Sequence, residues 1–135
     1  MQTSNTRAVL LMLALALSGC ATTYDSSDLN PSSGQFGTLE HVDPVHSGVM
    51  IEKVDGKRHG IRPAELYRFT PGEHSLTARA NVAFNASSSA VRWFDVEPDG
   101  RYAIQTYVDA GQWGFWIINK KTGLRVDREW STHSH

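Results

Sequence analysis

The chain has 135 residues, 40% of them hydrophobic and 20% charged, a balance that admits a packed core and excludes wholesale disorder. Its 13 basic and 14 acidic side chains leave a net charge of −1; with no long basic run, there is no footprint for phosphate-driven nucleic-acid binding. One cysteine excludes an internal disulfide, so stability must come from the core.

The N-terminus carries Arg7 and then an apolar run from Ala8 to Leu17. Ten residues are too few to cross a bilayer core, which takes about 20, and they fit the apolar centre of a secretion signal with a positive flank. The run ends in Leu17-Ser18-Gly19-Cys20. This sequence resembles the lipobox of bacterial lipoproteins: a branched apolar residue, two small residues, then cysteine. The resemblance implies a signal peptide over 1–19, cleavage before Cys20, and diacylglycerol on the Cys20 sulfur. Two or more acyl chains anchor a protein stably, at roughly 0.8 kcal/mol per buried CH₂. Position 21 is Ala rather than Asp, which by the sorting rule of Gram-negative lipoproteins implies the outer membrane, facing the periplasm. The mature chain would have 116 residues, 12 basic against 14 acidic, and no free thiol for catalysis or zinc ligation.

Residues 20–38 are rich in Ser, Thr, Asp, Asn, Gly and Pro without helical or strand periodicity, which reads as a flexible tether, with an ordered first strand around Phe36 to Leu39 as the alternative. From residue 39 short apolar runs alternate with turn signals. Val49 to Val54 is a strand candidate closed by Asp55-Gly56, a pair suited to the positive φ angles of a type I′ turn. Ala64 to Phe69 is a second, closed by Pro71-Gly72. From His74 to Phe84 the pattern has period two, with Leu76, Ala78, Ala80, Val82 and Phe84 on one face and Ser75, Thr77, Arg79 and Asn81 on the other. After a loop at 85–89 come Val91 to Glu97, the turn Pro98-Asp99-Gly100, the alternating run Tyr102 to Val108, the apolar run Trp113 to Ile118, a turn at 120–123, and a last strand from Leu124 to Trp130. About seven short strands and no helix predict a small antiparallel β-sandwich over 39–130, with a mobile tail at 131–135.

Val54-Asp55-Gly56-Lys57, Pro63 and Phe69-Thr70-Pro71-Gly72-Glu73-His74-Ser75-Leu76 resemble the PEGA-type β modules of bacterial surface proteins and similar small envelope lipoproteins. The resemblance covers about residues 49–108 and departs upstream, at His41-Val42-Asp43-Pro44-Val45-His46. It implies a small β-sandwich of binding or structural type, without catalysis or cofactor.

Two constellations bear on function. His41, Asp43 and His46, with His133 and His135, carry metal-ligating groups, but their number and spacing match no zinc template. Surface histidines are therefore expected, with a metal-binding lipoprotein as an alternative. Trp93-Phe94, Trp113-Gly114-Phe115-Trp116 and Trp130 supply large aromatic surface. Most are expected in the core. A patch formed by Trp113, Phe115 and Trp116 would instead suit glycan or peptidoglycan, since rings stack on sugar faces. Alternation puts Trp113 and Phe115 on one face and Trp116 on the other. No Gly-x-Ser-x-Gly or His-Glu-x-x-His occurs, and Asp95, Glu97 and Asp99 read as a solvated strand face. The expectation is a membrane-anchored, non-catalytic binding or structural module with an envelope protein partner, a free sheet edge being one place for it.

Overall fold

A computed structural model describes residues 22–44, 46–58, 63–80 and 89–132. The signal segment, Cys20, the end of the alternating run at 81–84, most of the loop after it, and His133 and His135 lie outside the described residues. The chain is an all-β sandwich. Its strands are β1 (Thr23–Asp25), β2 (Gly37–Glu40), β3 (Val49–Val54), β4 (Lys57–Arg58), β5 (Leu66–Phe69), β6 (Gly72–Ala80), β7 (Ser89–Val96), β8 (Arg101–Asp109) and β9 (Gln112–Asn119), with one 3₁₀ turn at Pro31–Ser33. A five-stranded sheet has the order β1-β5-β2-β8-β9, and a four-stranded sheet the order β4-β3-β6-β7.

Turn chemistry and alternation explain most of this. Asp55 and Gly56 have φ of 52° and 77°, as a two-residue type I′ hairpin between β3 and β4 requires. On β6, His74, Leu76, Ala78 and Ala80 are buried and Arg79 is exposed, although Thr77, on the other face, is buried as well. The β8–β9 hairpin turns at Ala110-Gly111, both at positive φ (47° and 81°). A left-handed alanine costs roughly 1–2 kcal/mol. Ala110→Gly is therefore expected to raise the urea midpoint by a gain of about 0.5–1 kcal/mol at unchanged m-value.

The core lies between the sheets. Leu39, Phe69, Leu76, Phe94 and Ile117 are fully buried, each such side chain contributing about 1.5–3 kcal/mol of transfer free energy. A train of rings threads it: Tyr24 on Tyr67 (centroids 5.8 Å), Tyr67 on Phe69 (6.3 Å), then Phe69–Phe94 (5.4 Å) and Phe94–Tyr102 (5.7 Å) edge to face. The Tyr102 hydroxyl reaches the core rim, where it accepts a bond from the Glu97 N–H (2.9 Å).

Four expectations are corrected. The sheet pairing is mixed, because β1 runs parallel to β5 and β2 parallel to β8. The strands number nine among the described residues, two of them too short to be legible as periodic patterns. Residues 22–38 are not a free tether. Thr23–Asp25 forms the sheet edge, Tyr24 packs on the core cluster, Asp25 takes two bonds from the Arg68 guanidinium (2.6 and 2.7 Å), and Ser26 is buried. Three residues of which two face solvent leave no detectable period. Finally, 124–130 is not a strand of either sheet, because it crosses from one to the other. Near β9, Val126 N–H bonds Ile117 C=O and Asn119 N–H bonds Leu124 C=O (both 2.9 Å); near β7, Trp93 and Arg128 exchange two backbone bonds of 2.9 Å.

This crossing segment covers an edge of each sheet and is held by charge. Arg128 bonds Asp95 (2.9 Å) and Glu73, and Glu73 also accepts from Ser131 and from the Thr132 N–H (2.9 Å). The Asp127 side chain is fully buried; it accepts from the Ile117 N–H (2.7 Å) and from Arg125 (3.0 and 2.9 Å). Arg92 lies over the Phe115 ring at 5.5 Å, with its Nε 3.5 Å from Asp127 but not aligned for a hydrogen bond. Edges left open invite pairing with other chains. Here β7 and β9 are covered over part of their length, and the remaining edges, β1 and β4, are three and two residues long.

Candidate functional site

The aromatic residues divide as alternation predicts. β8 and β9 pair in register, with Val108 opposite Trp113, Thr106 opposite Phe115, Tyr107 opposite Gly114 and Gln105 opposite Trp116. Phe115 is 1% exposed and belongs to the core, so it is no part of a surface patch. Trp113 is half-buried against the same cluster. Trp116 faces outward. Its indole N–H donates to Gln105 Oε1 (2.6 Å), and its ring lies 5.4 Å from that of Tyr107, inclined at 38°. Tyr107 folds over Gly114, where any Cβ would come within 2.4 Å of the Tyr107 hydroxyl oxygen. Gly114 is thus what lets the tyrosine lie flat on the sheet. The three proposed patch residues are therefore not brought together; the outward pair is Trp116 and Tyr107. The sequence signal for Tyr107 was its position opposite a glycine, which becomes visible only once the hairpin register is known. Trp130 is exposed on the crossing segment.

The Trp116–Tyr107 pair sits toward one end of the molecule. The residues Thr23, Leu66, Glu40, Ala103 and Ile118 form one row across the five-stranded sheet. β8 and β9 continue past that row to the Ala110-Gly111 turn, toward the end at which the chain enters β1. At the same end an open cavity of about 590 Å³ is lined by Glu40, His41, Val42, Asp43, Glu65 and Leu66. Thr22 is beside it, its carbonyl accepting from the Glu65 and Leu66 N–H groups (3.0 and 3.2 Å).

Of the histidines considered as metal ligands, the two described ones, His41 and His46, do not converge. His41 is 2% exposed and turns to Ser47 Oγ (3.1 Å). Because that hydroxyl donates to Val49 C=O (3.0 Å), the His41 Nε2 carries the proton. Burial, only partly opposed by the charge of Asp43, pushes the pKa of His41 down to about 4. Asp43 and His46 pair with each other on the surface (2.9 Å). Among the described residues no group of three His, Cys, Asp or Glu is placed to hold a metal ion.

Sequence reasoning missed a polar cluster at the opposite end of the sandwich. His74 is 5% exposed. Its Nδ1 bonds Asp55 (2.7 Å) and its Nε2 bonds the Thr70 carbonyl (2.7 Å). Asp55 also accepts from the Ser75 N–H (2.9 Å), and the Thr70 hydroxyl donates to Asp28 (2.9 Å). Both ring nitrogens face acceptors, so the ring is held as an imidazolium. Burial opposes that charge, but the hydrogen bond and charge of Asp55, the Thr70 carbonyl and the charge of Asp28 together raise the pKa. The signal was present: His74 has the same parity as Leu76 and Ala78, so alternation points it inward. Asp55, His74 and Thr70 stand in the order of a catalytic triad, but Nε2 is committed to a carbonyl and the hydroxyl proton to Asp28. The ring therefore cannot accept that proton. The trio ties two turns and the segment after β1 together.

The two histidines give opposite pH dependences. His74 binds its proton more tightly in the folded state, so its contribution is complete below the unfolded value near pH 6.5 and is lost as pH rises through its raised folded value. His41 binds its proton less tightly when folded, so stability falls as pH drops from about 6.5 to about 4, by at most about 1.4 kcal/mol per pH unit. Urea unfolding across pH is expected to show both flanks, with His74→Gln flattening the alkaline one and leaving the acid one.

No family model, no curated protein and no solved structure matches the chain.

Proposed function

We propose that this protein is a lipid-anchored protein of the bacterial envelope, held in the outer membrane by acyl chains on Cys20 and facing the periplasm, whose β-sandwich is a non-catalytic binding or structural module. The observation that carries the reading is the apolar run Ala8–Leu17 passing directly into Leu17-Ser18-Gly19-Cys20. Thr22 is two residues from Cys20 in the sequence and its carbonyl is bonded to Glu65 and Leu66, which suits the reading because an anchor at Cys20 would be joined to the domain by a short length of chain. The PEGA-like turn residues agree with a module that acts by contact. An envelope protein partner fits this reading, and no cofactor enters it. A glycan platform is less well supported, because the two outward rings are inclined at 38° and Phe115 is withdrawn into the core.

Mass spectrometry of the native N-terminus tests the proposal. The expected result is a mature chain beginning at acylated Cys20. With Cys20→Ser, the protein is expected to leave the membrane fraction, since one unacylated domain of net charge near zero has nothing comparable to hold it there. A mature chain that begins before Cys20 and carries no fatty acid would overturn the proposal.

A further inference from the structure

We infer that the end of the sandwich carrying the β8–β9 hairpin rests on the phospholipid surface, with Val42, Tyr107, Val108 and Trp116 as its contact residues. The inference rests on acylation of Cys20 and goes beyond it by assigning an orientation and an interaction surface.

The first argument is reach. Cys20 is three residues from Thr23, a span of at most about 10 Å. Thr23 lies in the same row as Ala103, and β8 continues six residues further to Asp109, about 20 Å at roughly 3.3 Å per residue. Since β1 and β5 are parallel, β5 and β2 antiparallel, and β2 and β8 parallel, β8 advances toward the end from which the chain enters. The hairpin thus overhangs the point of attachment by more than the intervening chain can span. Acyl chains seated in a bilayer draw that overhang onto the lipid.

The second argument is what the overhang displays. Of the five exposed large hydrophobic side chains among the described residues, three are at this end: Val42 (73%), Tyr107 (44%) and Val108 (38%). Trp116 and Tyr107 pack on each other on the outer face of the hairpin. Amphipathic rings with a polar tip favour the boundary between headgroups and acyl chains. The acids at this end, Asp43, Glu65 and Asp109, commit the surface to a predominantly zwitterionic bilayer rather than a strongly anionic one.

With Cys20 acylated, an introduced cysteine is the only free thiol. Val42→Cys and Val108→Cys at this end, and Lys57→Cys and Lys121→Cys at the other, are exposed positions that spare the core. Each is labelled with an environment-sensitive dye in the acylated protein and reconstituted into phosphatidylethanolamine-rich vesicles containing brominated acyl chains. The expected result is a blue shift and severalfold stronger quenching at positions 42 and 108 than at 57 and 121. The difference should shrink when a ten-residue Gly-Ser spacer follows Ala21, and also as anionic lipid is added. Equal quenching at all four positions of a protein whose N-terminus is acylated would overturn the orientation alone. An N-terminus without fatty acid would overturn the anchor and the orientation with it. Retention of the Cys20→Ser domain on purified sacculi, lost in Trp116→Ala, would assign the face to glycan and refute the lipid contact.

Discussion

Phe94→Ala is expected to lower the unfolding free energy by about 3–5 kcal/mol, a large share of what a domain of this size possesses. Phe94 is fully buried and meets two rings of the facing sheet, Phe69 at 5.4 Å and Tyr102 at 5.7 Å. It projects from β7 in the four-stranded sheet, while both partners belong to the five-stranded one. Truncation therefore removes contact between the sheets as well as apolar surface. Collapse around the void is resisted because Tyr102 is pinned by the Glu97 N–H and Phe69 by its neighbours Tyr67 and His74. Urea unfolding followed by near-UV circular dichroism measures the loss, and Phe94→Leu should recover a good part of it. A loss below about 1 kcal/mol would mean the two sheets are not coupled through this residue.

The second large effect is expected at Asp127. Its carboxylate is fully buried, caps the Ile117 N–H and is the acceptor that Arg125 and Arg92 face. Removing it leaves the Ile117 N–H without its acceptor and the part-buried Arg92 without its nearer counter-charge, at about 1–3 kcal/mol, while the half-exposed Arg125 turns to water. Asp127→Ala takes away the cap and the counter-charge together; Asp127→Asn keeps an acceptor for Ile117 and loses only the charge, so it should cost less. Either change loosens the segment that covers β7 and β9. Alongside lost stability, Asp127→Ala should raise light scattering at moderate temperature and speed amide exchange along β9, because a newly bared edge pairs with other chains. Loss of stability without faster exchange in β9 would separate the charge cluster from edge protection.

Legibility followed the length of the pattern. β3, β6, β7, β8 and β9 each run six to nine residues, enough for alternation or apolar content to show, and the Asp55-Gly56 turn was readable because few other pairs accept two positive φ angles. β1 and β4, with three and two residues, carry no period. β1 is a strand only because Tyr24 finds Tyr67 and Asp25 finds Arg68, partners more than forty positions away. Residues 124–130 contain enough apolar character to suggest a strand, yet they serve two sheets at once. That outcome depends on where β7 and β9 lie in space.

The sequence by itself determined the all-β class, the inward parity of Leu76, Ala78 and His74, and the opposite facing of Phe115 and Trp116, because these follow from a two-residue repeat that every strand obeys. It also contains the whole basis for expecting an acylated Cys20. Only the tertiary structure decided that Tyr107 lies over Gly114 beside Trp116, that His74 is clamped between Asp55 and Thr70 while His41 is buried neutral, and that the β8–β9 hairpin overhangs the end where the chain enters. Those relations are set by register, strand order and direction. They are properties of pairs of segments, and a single segment holds no information about which neighbour it will meet.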